Sequence, residues 1–173
     1  MRPLIGTDLK RFLRDYRRAN RPAHDLVALL QSVEYPANVG SIFRLADGAG
    51  VSELVLTGIT PTPPNATIDK VGRFKSLRLP WRYEADPLLA IDGLRAGGYT
   101  IVAVELTDDA VPYHQYTYPA KTCLVVGHED HGVTKTTLAA CDAAVFVPMY
   151  GKGLSLNVHV ALAVVLYHIR HCG

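Results

Sequence analysis

Cysteine is scarce, and its placement builds neither a cross-link nor a metal site. Cys123, Cys141 and Cys172 are odd in number and lack C-x-x-C spacing. Two of them fall beside apolar runs, so buried, reduced thiols are expected. The seven histidines are scattered rather than paired at ligand spacing, and no metal is expected. No apolar run approaches the roughly 20 residues needed to span a bilayer. Residues 1–8 have no signal-peptide core, so a cytoplasmic protein is expected.

Several nucleotide and hydrolase signatures are missing as well. Gly127 and Gly132 have the spacing of a phosphate loop, but Val133-Thr134 stands where Lys and Ser or Thr are needed. No G-x-G-x-x-G follows a strand, since Gly151 and Gly153 lead to Leu156, and Gly48 and Gly50 to Glu53. Ser155 and His159 lie one helical turn apart without a G-x-S-x-G elbow, so Ser155 reads as a helix cap rather than a nucleophile. There is no internal repeat and no low-complexity tract.

What is present is a chain of 173 residues, 49% hydrophobic and 20% charged, enough for one domain with a sizeable core. The net charge of +2 hides an asymmetry: residues 1–21 carry seven cationic side chains against Asp8 and Asp15, a net +5 that leaves −3 on the remainder. Such a segment beside a near-neutral domain fits a polyanion partner such as nucleic acid, or simply a solvated helix face.

Hydrophobic spacing predicts a first helix over residues 8–19, capped by Thr7 or Asp8, with Leu9, Phe12, Leu13 and Tyr16 on one face and the arginines opposite. Strands are predicted over residues 26–30, 53–57, 99–106, 123–127 and 143–149. Further helices start at Asn38, which can cap its own helix, and at Asp86-Pro87. A last, largely buried helix covers 158–169, with Ser155 or Asn157 as its cap. Residues 61–65 read as a surface loop, and Arg73, Lys75 and Arg78 as solvated loop charge. Short apolar runs ending in Gly or Pro, separated by helices, call for an α/β fold with a mostly parallel sheet covered on both faces. Ligands bind such sheets beyond the carboxyl ends of the strands, where the turns at 127–132 and 148–155 lie.

Three stretches carry more. Asn38-Val39-Gly40-Ser41-Ile42-Phe43-Arg44-Leu45-Ala46-Asp47, then Leu124-Val125-Val126-Gly127-His128-Glu129-Asp130-His131-Gly132, then Val147-Pro148-Met149 with Ser155-Leu156-Asn157-Val158, resemble in order and spacing the SPOUT superfamily of RNA methyltransferases. Within it they resemble the SpoU/TrmH family of ribose 2′-O-methyltransferases. The match runs over roughly residues 25–170, and His128 stands where the family pattern has Asn.

That resemblance implies more than the residues alone. The pattern by itself gives an open, unknotted sheet, whereas the family threads its C-terminal part through a deep trefoil knot. It implies S-adenosylmethionine as cofactor, with contacts from Leu106, Gly127, Val147, Met149 and Leu156. It further implies a homodimer, an RNA substrate, and an active-site set of Asn38, Arg44, Glu129, Ser155 and Asn157. Arg44 would activate the hydroxyl. A guanidinium ordinarily stays charged, so Arg44 either clamps a phosphate or acts as a base in a site that disfavours its charge. Residues 1–24 would form a basic helical extension to a methyltransferase domain at 25–173. With no large accessory domain, tRNA is slightly favoured over rRNA. Two alternatives stay open: a knotted RNA-binding protein without catalysis, and a SPOUT enzyme that methylates a base nitrogen.

Overall fold

The computed structural model describes residues 1–171. Seven strands, β1 (Asp25–Gln31), β2 (Glu53–Thr57), β3 (Trp81–Glu84), β4 (Thr100–Val104), β5 (Val111–Pro112), β6 (Lys121–Val126) and β7 (Ala143–Phe146), form one sheet. Its order is β3-β2-β1-β6-β4-β7-β5, and every pairing is parallel. The predicted α/β class and largely parallel sheet are therefore correct.

Strand alternation divides the core in two. Leu26, Ala28, Leu30, Leu54, Leu56, Leu124 and Val126 point to one face, where α2 (Pro36–Ala49) and α6 (Val158–His171) cover them. Val27, Leu29, Val55, Ile101, Cys123 and Val125 point to the other, against Ala90, Ile91 and Leu94 of α4 (Pro87–Ala96). Burial on both faces is why β1 and β6 read as unbroken apolar runs. Arg170 fastens the end of α6 by donating to the carbonyls of Ala49, His24 and Gly50 at 2.7, 2.5 and 2.6 Å.

The structure departs from the sequence reading at several ends. Strand 99–106 is shorter, Thr100–Val104, and β7 stops at Phe146, just before Val147-Pro148, where proline offers no N–H to a ladder. Helix α1 (Gly6–Ala19) starts before Thr7 and Asp8, with Ile5 at its N-cap and no side-chain cap, and none of its residues is buried. Helix α2 starts at Pro36 with Tyr35 at its N-cap, so Asn38 is not a cap but a residue of the first turn. Helix α6 buries Leu162, Val165, Leu166 and Ile169, yet Val160 and Tyr167 stay exposed, so it is less buried than expected. Asp86 does cap α4, accepting from the Leu88 N–H at 2.8 Å.

Some elements were missed altogether. Residues 66–72, given no element by the sequence, form α3 (Ala66–Gly72), the charged stretch read as loop contains a 3-10 turn (Lys75–Leu77), and β3, α5 (Lys135–Ala139) and β5 are short or half-exposed, with little periodicity to reveal them. Cys123 is buried and Cys141 half-buried, both as free thiols, and Cys172 lies outside the described residues. Among the described residues, no helix is long and apolar enough to cross a membrane, and no three His, Cys, Asp or Glu residues are grouped to hold a metal.

Helices α2 and α3 meet through glycine. A Cβ on Gly40 would sit 2.9 Å from the Ile68 carbonyl oxygen and 3.0 Å from the Val71 Cβ. Gly40→Val is thus expected to force the helices apart and destabilise the fold by about 1–3 kcal/mol. Urea unfolding of variant and wild type, compared at equal slope, measures it.

Candidate active site

The site lies beyond the carboxyl ends of β1, β4, β6 and β7, where an open parallel sheet leaves its crevice. From Val126 the chain turns through residues 127–132 and closes on itself: the His128 N–H donates to the Gly132 carbonyl at 3.1 Å, and the Gly132 N–H to the His128 carbonyl at 2.8 Å. Glycine is required at both ends of this turn. A Cβ on Gly127 would lie 2.2 Å from the Gly132 carbonyl carbon, and one on Gly132, at φ +64°, would lie 2.3 Å from Glu105 Oε2. The Glu105 carboxylate in turn accepts from the Val133 and Leu106 N–H groups at 3.0 and 2.9 Å. Buried Gln31 accepts from the Thr134 N–H at 2.8 Å.

This turn presents Glu129 to the start of α2. Its carboxylate accepts from the Glu34 N–H at 2.9 Å, the Tyr35 N–H at 3.2 Å and Asn38 Nδ2 at 2.7 Å. Burial pushes the carboxyl pKa up, but the bonds from Asn38, Glu34, its own backbone N–H and Tyr35 outweigh it and hold the group below its ordinary value. Because Asn38 donates to Glu129, its Oδ1 is left to accept, and His159 Nδ1 lies 3.2 Å away. His159 therefore carries its proton on Nδ1, and burial, which lowers its pKa, favours the neutral ring. His128 is held differently, with Nδ1 accepting from the Asp130 N–H at 3.1 Å and Nε2 3.1 Å from Glu34 Oε2.

Beside this network is a cavity of about 950 Å³. Leu106, Gly127, Val147, Met149 and Leu156, the five residues carried over as cofactor contacts, all border it, and so do Glu129 and Ser155. The other three site residues stand off its wall. Asn38 is buried behind Glu129. Asn157, and not Ser155, caps α6, its Oδ1 accepting from the His159 N–H at 3.1 Å. Arg44 is exposed on α2 and has no hydrogen-bond or ion-pair partner among the described residues.

Comparison with known proteins fits this arrangement. The SpoU rRNA Methylase family matches residues 25–167. The chain belongs to the SpoU methylase family. It is 34% identical over 161 residues to a tRNA (guanosine(18)-2′-O)-methyltransferase of Thermus thermophilus, covering 93% of this chain and 81% of that one. It is 33% identical to the 23S rRNA (guanosine(2553)-2′-O)-methyltransferase RlmP of Bacillus subtilis, covering 83% of this chain and 57% of the relative. The AdoMet-bound rRNA methyltransferase of Sinorhizobium meliloti superposes with a TM-score of 0.79 at 27% identity, over 88% of this chain and 58% of that one. This SpoU chain thus spans most of one relative and little more than half of the others.

His159 and Glu105 were not singled out by the sequence as site residues. His159 was visible only as a partner for Ser155 in a hydrolase pair that lacked its elbow. Its actual partner, Asn38, is 121 positions away.

Glu129→Gln tests the carboxylate. A group with a depressed folded pKa contributes stability that is present above its unfolded pKa and lost as pH falls through the folded value. Wild type is expected to be more stable than Glu129→Gln near neutrality, with the gap closing as pH falls below the ordinary glutamate value of 4.5 and through the lower folded value. Thermal unfolding of both proteins in an acid titration from neutrality reads it out.

Proposed function

We propose that this SpoU-family chain transfers a methyl group from S-adenosylmethionine to a ribose 2′-hydroxyl of structured RNA, with tRNA favoured slightly over rRNA. The observation that carries the reading is convergence. Glu129 from the second motif bonds Asn38 from the first, and borders the same cavity as Met149 and Ser155 from the third.

The cavity suits the cofactor. A volume of about 950 Å³ accommodates a nucleoside-sized ligand, and Leu106, Val147 and Leu156 offer apolar contact beside the backbone of Gly127. When bound, S-adenosylmethionine would supply an electrophilic sulfonium methyl whose leaving group is a neutral thioether. The 2′-hydroxyl proton would pass to solvent water as its oxygen takes up that methyl. This chain's share of the work is orientation. Arg44, exposed and without a partner among the described residues, supplies a cation for an RNA phosphate and thereby fixes the attacking hydroxyl. Asn38 and Glu129 hold the turn that borders the methyl-donor cavity, and Ser155 faces that cavity from the opposite loop. Asn157 sets the start of α6.

Two features belong to the same proposal. The C-terminal part is knotted as in the SPOUT fold, and two copies associate, with the exposed Val160 and Tyr167 of α6 as candidates for cover. Residues 1–24 act as a basic extension. Helix α1 has an exposed cationic face, on which Arg14 pairs with Asp15, and no buried residue, which suits a contact to RNA phosphates.

Labelled S-adenosylmethionine incubated with unmodified tRNA and rRNA is expected to yield a 2′-O-methylnucleoside by mass spectrometry. Arg44→Ala is expected to lower transfer by about 100-fold or more while leaving cofactor affinity unchanged. A methylated base, or cofactor binding without transfer to any RNA, would overturn the ribose reading. Separately, neutralising Arg11, Arg14, Arg17 and Arg18 together is expected to weaken RNA binding several-fold at low salt and flatten its salt dependence. Filter binding across a salt series measures this, and an unchanged slope excludes the role.

A further inference from the structure

The segment read from sequence as solvated loop charge is held in an unusual shape beside Arg44. Arg73 and Phe74 are consecutive non-glycine residues in the left-handed region, at φ 52° and 55°. Such a pair is disfavoured for L-residues and persists only where its surroundings enforce it. Asp69 does the enforcing. Its backbone carbonyl accepts from the N–H groups of both Arg73 and Phe74, and its carboxylate accepts from Ser76 Oγ at 3.2 Å.

Two anchors fix this turn against α2. At one end Gly72 packs on Gly40, where a Cβ on Gly72 would lie 3.1 Å from the Gly40 carbonyl oxygen. At the other, Lys75 forms an ion pair with Asp47. Gly40, Arg44 and Asp47 follow one another at single-turn spacing on one side of α2. Arg44 thus sits between the two anchors, on the side where Arg73 and Phe74 bridge them.

The result is a cleft of about 610 Å³ bordered by Ala66, Asp69, Lys70, Arg73 and Phe74. Phe74 is 59% exposed, with Leu77 beyond it at 80%. The local charge is cationic: Asp47 is matched by Lys75, and Lys70, Arg73, Arg78 and Arg44 outnumber Asp69, whose carboxylate keeps its charge while accepting from Ser76. An exposed aromatic face flanked by cations matches an unstacked nucleotide, which stacks its base on the ring and sets its phosphate against the charges.

We infer that this cleft binds a nucleotide adjoining the methylated one in the substrate RNA, with Phe74 stacking on its base and Lys70 and Arg73 contacting its phosphate. The inference rests on the ribose-methylation reading for the meaning of Arg44, but its binding test does not require catalysis.

The test uses the full chain and an adenosine oligonucleotide of about 12 nucleotides. Phe74→Trp places a fluorophore at the stacking position, and wild-type emission from Trp81 is subtracted. Quenching by the oligonucleotide but not by heparin, which has charge without bases, is expected. In methyl transfer, Phe74→Ala and Arg73→Gly are each expected to raise the KM for RNA about tenfold with cofactor affinity unchanged. Arg73→Gly suits the left-handed backbone, so it removes the guanidinium and keeps the turn, and circular dichroism checks both folds. Equal quenching by both polyanions, or none, overturns the inference. So does a wild-type KM in both variants, an outcome that would assign Phe74 and Leu77 to a protein contact. Selective quenching by a protein that transfers no methyl group would instead sink the catalytic reading and leave the cleft standing.

Discussion

The carboxylate of Glu129 is the joint on which the site turns. Three donors converge on it, two from the backbone that leads into α2 and one from Asn38. Its position is possible only because the 127–132 turn is compressed to glycine contact and braced by Glu105. Through Asn38 the same joint reaches the first turn of α6, whose far end Arg170 fixes to the end of α2. A carboxylate surrounded by donors is both strongly anionic and nearly immobile, which suits a scaffold better than a shuttle for protons.

The division of labour among charges follows the same logic. Glu105, Glu129, Asp25 and Asp142 each spend their oxygens on backbone or side-chain donors within the fold. Arg95 and Arg170 are likewise structural. Arg44 and the arginines of α1 are exposed. These four anions are consumed in holding the protein together while Arg44 and the arginines of α1 face solvent, so a nearly neutral chain can still offer a polyanion a favourable surface.

How much of this the sequence could disclose depended on range. Strands β1, β2 and β6 were legible because two-sided burial writes itself as a continuous apolar run, and the cavity residues because the three motifs fall in order. Asn38 was misread as a cap because a short polar side chain near a helix start usually bonds locally, whereas its partners are 91 and 121 positions away. The same distance hid His159. Helix α3 and the turn after it escaped notice because a left-handed conformation at Arg73 and Phe74 has no glycine to announce it.

Strand order also bears on how the chain is made. Strand β6 lies between β1 and β4, although it comes after both in sequence. As the polypeptide emerges from the ribosome, β1, β2 and β3 can assemble early, but one edge of β1 stays without a neighbour until residues 121–126 have been synthesised. An apolar strand with an open ladder is adhesive while it waits. Nascent chains of this protein should therefore depend on chaperone shielding from the synthesis of β1 into the last third of translation, and lose that dependence abruptly once β6 is inserted.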